Sequence, residues 1–162
     1  SGKHNLSIDG TTGAGRFDCP HGIIIDRRHD TPKLYVADRG NARIQVFDLE
    51  GHYLRSFGED FLSSPSGFVQ LGEYMVIAEL KSRLTIIDTN NCFAGHVFPG
   101  DSHIQTAGWP NESIDGEEII RPSKLNKEEF NSPHGLTADK DGNLYIAEWL
   151  IGGRITKLKL MV

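Results

Sequence analysis

The sequence has no long hydrophobic run and no cluster of basic residues. No apolar stretch approaches the roughly 20 residues of a membrane-spanning helix, so we expect no membrane partner. Lysine and arginine form no run longer than Arg27-Arg28, and 17 Lys and Arg stand against 22 Asp and Glu, for a net charge of −5. An acidic chain with scattered cations lacks the charge pattern of nucleic-acid-binding proteins, so no nucleic acid partner is expected.

Cysteine is also scarce. The two cysteines, Cys19 and Cys92, are too few for a disulfide framework and favour a reducing compartment. No secretory signal peptide is visible, so the sequence predicts a cytoplasmic protein. A Ser-His-Asp arrangement, a glycine-rich phosphate loop and a Cys-x-x-Cys site are absent, which excludes the enzyme and binding classes that depend on them.

The chain does contain an internal repeat. The motif Pro-x-Gly opens three units, at residues 20–58, 65–100 and 133–160. Each unit then carries an acid followed by an arginine: Asp38 and Arg43, Glu79 and Arg83, Glu148 and Arg154. Because they recur in every unit, we expect these acids and arginines to pair with each other or with loop carbonyls and to be structural.

Each unit consists of short segments that favour β-strands. In the first unit these are "GIII", "YVA" and "IQVF", rich in β-branched and aromatic residues. The stretch "DKDGN" at 139–143 predicts a hairpin turn; the helical flanks and distal Glu of a calcium loop are absent. Short strands repeating at a period of about 45 residues are typical of propeller blades.

We therefore predict an all-β fold, a β-propeller with three blades in one domain covering residues 1–162. The blades are expected at about residues 16–58, 64–100 and 130–162. Between the second and third lies an insert, residues 101–131, that is polar and lacks strand alternation. We expect a long loop there, with one helical turn near residues 124–130.

The outer strands indicate how such blades close. The third unit stops after its third strand, whereas residues 3–10 resemble the fourth strand "HYLRSFG" of the first unit. Three blades are too few for a ring, since rings need roughly four to eight. We expect a homodimer of two half-propellers making six blades, in which residues 3–10 complete the partner's third blade. The alternative is a fragment of a longer six-bladed chain.

The string "F-x-x-PHG-I-x-x-D…LYVADRGNARIQVF" resembles the NHL repeat over about residues 16–100 and 130–160. This resemblance implies a six-bladed propeller. It leaves function open, because such propellers include enzymes as well as platforms that bind proteins or RNA.

Two stretches are also similar to the peptidyl-α-hydroxyglycine α-amidating lyases: "PHG…VADRGNARIQ", and "F-x-x-PHG…DGNLYIAE" near the end. That resemblance implies that His21 and His134 are zinc ligands in the central channel and that Arg39 is a catalytic arginine. The blade between the two lacks a histidine in that family as well, which fits Ser66 here. A third zinc histidine of that family has no counterpart, because in the expected dimer its position is filled by Ser66 of the partner subunit.

The residues themselves leave the role of the histidines open. The first strand of each propeller blade lines the channel, so His21, Ser66 and His134 should converge at one mouth. They either hold a divalent metal, zinc or calcium, or form a structural polar ring across the channel. Arg39 and Trp149 occupy the same place in the first and third units, and Trp149 and Ser66 are candidate ligand-binding residues.

Two functions therefore remain. The first is a platform that binds a small molecule, a peptide or a protein at the channel mouth without chemistry. The alternative is a divalent-metal-dependent lyase or hydrolase with a His-lined channel. Whether the chain is an enzyme is left open, and RNA binding is disfavoured by the charge.

Overall fold

The computed structural model describes residues 13–100 and 104–161. Within them the chain is all-β, as predicted, with antiparallel strands in four sheets and no helix. The predicted strand at residues 3–10 lies outside the described residues. No helix in the described part of the chain is long and apolar enough to cross a membrane.

Three of the sheets are propeller-like blades, and each follows one repeat unit. The first blade has the order β1-β2-β3-β4, formed by Pro20–Asp26, Lys33–Asp38, Arg43–Phe47 and Tyr53–Phe57. The second has the order β5-β6-β7-β8, formed by Pro65–Leu71, Tyr74–Glu79, Arg83–Ile87 and Phe93–Val97. The third has the order β11-β12-β13, formed by Pro133–Ala138, Leu144–Glu148 and Arg154–Leu158.

The core lies between the blades. Between the first and second blades the buried side chains are Tyr35, Ala37, Ile44, Val46, Leu62, Met75, Ile77 and Ile87. Between the second and third they are Val76, Ala78, Leu84, Phe130 and Ile146. The second blade is therefore apolar on both faces, and its alternating strand residues divide between the two clusters.

The turn at residues 139–143 joins β11 to β12 as a hairpin. Gly142 takes a φ of +80°, and the Asp139 carboxylate accepts hydrogen bonds from the backbone N–H groups of Asp141 and Asn143 and from the hydroxyl of Tyr145. The side-chain amide of Asn143 also donates to this carboxylate, and this bond is the largest cause that lowers the pKa of Asp139 to about 2. The bonds from Tyr145 and the backbone act in the same direction. The carboxylate thus stabilises the turn.

The insert contains a small hairpin, β9 and β10, formed by Glu112–Ile114 and Glu118–Ile120. The expected helical turn at residues 124–130 does not form. Carbonyls of that segment, on Asn126 and Glu129, accept hydrogen bonds from the Arg154 guanidinium of the third blade. These interactions use acceptors that a helical turn would need for its own hydrogen bonds.

The repeated acid and arginine pair in every blade, as expected. The Nε–carboxylate distances are 2.8 Å for Arg43–Asp38, 2.8 Å for Arg83–Glu79 and 2.6 Å for Arg154–Glu148. Each carboxylate lies at the end of the second strand of its blade and is buried.

The same carboxylates hold the segment that enters each blade. Asp38 accepts the backbone N–H of Asp18 at 2.8 Å. Glu79 accepts those of Ser63 and Ser64, and Glu148 accepts those of Asn131 and Ser132. In each blade these residues lie within two positions before the Pro-x-Gly motif, so the buried pair positions the first strand.

Candidate functional site

The first strands β1, β5 and β11 lie side by side along the inner edge of the blades. They line an open groove of about 420 Å³, formed by the last two residues of each Pro-x-Gly motif and the residue after it. Glycine is needed here because the strands approach closely. A Cβ on Gly22 would lie 2.5 Å from the Ser66 carbonyl oxygen, and one on Gly67 would lie 2.6 Å from that of His134.

A β-bulge interrupts each first strand at its Pro-x-Gly motif. In the second and third blades the ladder shifts by one residue between Pro65 and Gly67 and between Pro133 and Gly135, leaving Ser66 and His134 without ladder partners. In the first blade the shift falls between Pro20 and Ile23. Because bulges redirect side chains, the residue between Pro and Gly lies in the groove.

The imidazoles of His21 and His134 meet across the middle blade. Their ring centroids are 5.2 Å apart, in an edge-to-face arrangement. Ser66, between them in the strand order, is 3% exposed, and its hydroxyl donates to the Ser64 carbonyl at 3.2 Å. A small residue in the second blade therefore leaves room for the two imidazoles to touch.

Hydrogen bonding orients the first of these imidazoles. His21 Nδ1 lies 2.9 Å from the carbonyl oxygen of Cys19. A carbonyl oxygen only accepts, so Nδ1 carries the proton and Nε2 is the basic nitrogen of the neutral ring.

Arg39 and Trp149 complete the group. The Trp149 ring lies 6.4 Å from that of His134 and is 58% exposed. Arg39 Nη2 lies 3.2 Å from the Sγ of Cys19. We call His21, His134, Arg39 and Trp149 the rim cluster. Together with Ser66, which lines the same groove as the two imidazoles, these are the five candidate residues, and the structure brings them together.

The environment of His134 disfavours its charged form. Burial, followed by the positive charges of His21 and Arg39, holds the pKa of His134 below its ordinary value of 6.5. At neutral pH this imidazole is therefore uncharged and available as a hydrogen-bond acceptor or ligand.

We expect His134 to titrate below pH 6.5 in an NMR titration of its ring protons. Arg39→Ala removes one repulsive charge and should raise the pKa of His134, whereas Lys140→Ala, at an exposed lysine on the β11–β12 turn, should leave it unchanged. Because the unfolded chain binds this proton more readily, His134 should reduce stability as the pH falls through 6.5, down to its folded pKa. If the pKa of His134 in Arg39→Ala equalled that in the wild type, this account would be contradicted.

Two imidazoles, those of His21 and His134, lie close enough together to be considered as ligands of one metal ion. Among residues 13–100 and 104–161 no three His, Cys, Asp or Glu side chains are grouped to hold an ion. A catalytic zinc takes three protein ligands and a water, and calcium takes six to eight oxygens. The three repeat carboxylates, Asp38, Glu79 and Glu148, are engaged by arginines, so they are not free to join the two imidazoles in a site for either ion.

Sequence reasoning missed two residues near the rim cluster. Cys19 contacts both His21 and Arg39. A second groove of about 300 Å³ begins at Cys19 and Arg39 and is also lined by Lys81 and Trp109. The proximity of Cys19 to the motif was a usable signal, but Trp109 comes from the insert, and no local pattern connects it to the first strands.

Comparison with known proteins identifies relatives along most of the chain. No family model matches. Human NHL repeat-containing protein 3 is 32% identical over 143 residues, covering 85% of this chain and 34% of that protein. The mouse protein of the same name is 37% identical over 143 residues, with the same two coverages of 85% and 34%. The chain thus spans about a third of the length of these curated relatives.

Among solved structures, the computationally designed Ika4 protein has a TM-score of 0.50 at 10% sequence identity, covering 99% of this chain and 100% of that chain. At that identity the likeness is one of fold alone. The NHL-repeat relatives and the blade-like sheets together support an NHL-repeat, propeller-type family.

Proposed function

We propose that this chain, with its NHL-type repeats, is a binding platform whose recognition surface is the rim cluster and the grooves on either side of it. The observation that carries the proposal is the convergence of two imidazoles, a guanidinium and an exposed indole at one rim.

The chemistry of the rim favours a ligand that carries a carboxylate beside a flat or apolar group. Arg39 and Lys81 provide cations in the groove that begins at Cys19, and Trp149 provides a flat apolar surface. Arginine and tryptophan are the residue types most enriched where binding energy concentrates. The repeat acids are neutralised within the blades, while Asp18, beside Gly40, is an acid of the rim itself.

An extended peptide or a small molecule with an acidic group therefore suits this surface. To test this, a phage-displayed peptide library is selected on the wild-type chain, and enriched peptides are titrated by calorimetry. Trp149→Ala and Arg39→Ala should each weaken binding about tenfold or more, as for central interface residues. Lys140→Ala, at the β11–β12 turn, is the matched surface control and should bind as the wild type does.

Selected peptides that bind both rim variants with wild-type affinity would overturn the proposal, since the recognition surface would then lie elsewhere. Failure to enrich any peptide would contradict the proposal for peptide ligands. For small molecules, a library of small carboxylic acids is screened by ligand-observed NMR, and the absence of any binder would contradict the proposal there as well.

The second candidate is a metal-dependent lyase or hydrolase. It is supported by the contact between the His21 and His134 imidazoles, and it requires further ligands beyond the described residues. Zinc added during the same calorimetric experiments separates the two candidates. Stoichiometric zinc binding that His21→Ala abolishes would favour the enzyme, and its absence would favour the platform alone.

A further inference from the structure

The outer edge of β13 differs from the equivalent edges in the other two blades. The third strands β3 and β7 are each paired on both sides, to β2 and β4 and to β6 and β8. Among the described residues, β13 pairs only with β12. Its outer N–H and C=O groups therefore form a template for one more strand.

The first blade shows what such a strand looks like. In β4, Tyr53 lies opposite Phe47, with ring centroids 5.8 Å apart, and Phe57 lies opposite Ile44. The ladder slips by one residue after Tyr53, and Ser56 then faces Gln45.

The second blade repeats this pattern. In β8, Phe93 lies opposite Ile87, the same slip follows, and Val97 lies opposite Leu84. His96 faces Thr85, with Nδ1 3.0 Å from the threonine oxygen. The outer strand thus has one pattern in both blades: an aromatic residue, two variable residues, a polar residue and an apolar residue.

Within the described residues, the third blade has the side chains that would face an outer strand but no such strand. Leu158, Thr156 and Ile155 occupy the positions of Ile87, Thr85 and Leu84. Ile155 lies on the face that in the second blade packs against the next blade; it is 78% exposed, whereas Leu84 at that place is fully buried.

Beside the edge of β13, an open groove of about 470 Å³ is lined by Phe98, Phe130, Thr156 and Leu158. The aromatic residue of a fourth strand would enter this groove.

We propose that the edge of β13 is a strand-addition site and that its occupant is residues 4–8 of a second copy of this chain. The segment His4-Asn5-Leu6-Ser7-Ile8 has the outer-strand pattern of Tyr53–Phe57, with a ring first, serine fourth and an apolar residue fifth. These residues lie outside the described structure, so the match is one of sequence.

A second copy is favoured over the same chain because residues 4–8, tied to the first blade through Gly13, are too short a distance along the chain from it to extend to β13 of their own chain. Gly13 is bound at the first blade, where its carbonyl accepts from Arg43 at 2.9 Å. Four residues separate Ile8 from Gly13, and the five Cα–Cα steps between them span at most about 18 Å. The second blade stands between the first blade and β13, and packed sheets are about 10 Å apart. A reciprocal exchange makes a closed two-fold dimer in which each third blade gains a strand.

Light scattering on the full chain tests the exchange. Ile8→Asp places a charge at the apolar position and should raise the dimer dissociation constant about tenfold or more. Asn5→Asp adds the same charge at the second position of the pattern, the residue that the slip leaves unpaired. The equivalent residues Leu54 and Ala94 are exposed, so this variant should change the dimer dissociation constant less than about twofold. Equal effects of the two variants, or a wild-type chain that stays monomeric at all concentrations, would overturn the proposal.

Crosslinking locates the contact. With Cys19 and Cys92 replaced by serine, chains carrying Ser7→Cys are mixed with chains carrying Thr156→Cys, and a short dimaleimide is added. We expect a covalent dimer, and much less of it when Lys140→Cys, a more exposed site, replaces Thr156→Cys. A chain carrying both cysteines should crosslink to a second copy; a crosslinked monomer at high dilution would overturn the assignment to a second copy.

Discussion

Replacing Glu79 with alanine should lower the free energy of unfolding by about 3–5 kcal/mol, because it leaves a partly buried guanidinium without its partner. The Glu79 side chain is fully buried. Its carboxylate accepts hydrogen bonds from Arg83, from Thr85 and from the backbone of Ser63 and Ser64. Its loss therefore releases the segment that enters the second blade as well as one ion pair.

Urea denaturation measures this effect at pH 7. Glu50→Ala, at an exposed glutamate in the β3–β4 turn, is the matched control and should change the free energy of unfolding by less than about 0.5 kcal/mol. A Glu79→Ala loss no larger than that of the control would show that the buried pair is dispensable.

The pH dependence of the two proteins should also differ. Burial raises the pKa of Glu79, but hydrogen bonds from Arg83, Thr85 and the backbone outweigh it, so the pKa lies below its ordinary value of 4.5. Because the unfolded chain then binds this proton more readily, the carboxylate stabilises the fold above pH 4.5, and that stabilisation is lost as the pH falls through the folded pKa. Wild type should lose stability in that window more steeply than Glu79→Ala.

Gly22→Ala and Gly67→Ala should each cost about 1–3 kcal/mol, whereas Gly135→Ala should be close to neutral. A Cβ at Gly22 would lie 2.8 Å from the Gly67 Cα, and a Cβ at Gly67 would lie 3.1 Å from Leu136. Both contacts involve the next first strand, so the blades would have to separate. At Gly135 no atom lies within 4 Å of the added Cβ.

Thermal and urea unfolding of the three variants, at protein concentrations where the chain is monomeric, provides the comparison. The three glycines share one motif, so helical or strand propensity cannot explain a difference among them. An equal loss at all three positions would contradict the open inner edge of the third blade.

Much of the fold could be predicted from the sequence because each blade repeats the same set of short sequence motifs. The acid that ends the second strand, the arginine that follows and the Pro-x-Gly motif occur together, so Glu79 and Arg83 could be paired without a structure. The same repetition placed His21, Ser66 and His134 at equivalent positions, and the structure brings them together.

The remaining features depend on contacts between distant segments. Strands of three residues, such as Glu112–Ile114, are too short to show alternation, and the insert is held by Arg121, which donates to the carbonyls of Ile151 and Gly153. The contact of His21 with His134 depends on how closely the blades pack, which no local pattern specifies. The homodimer, the divalent metal and the cytoplasmic location stay predictions.

The repeated bulge has a consequence for substitutions in the Pro-x-Gly motif. Ser66 and His134 lie at the extra position of a bulged strand, without a ladder partner, while the flanking proline and glycine meet the demands of the backbone. A substitution at the middle position alters the groove and leaves the strand pairing intact. Along three adjacent residues, the strand pairing therefore depends on the proline and the glycine, whereas the groove lining depends on the residue between them.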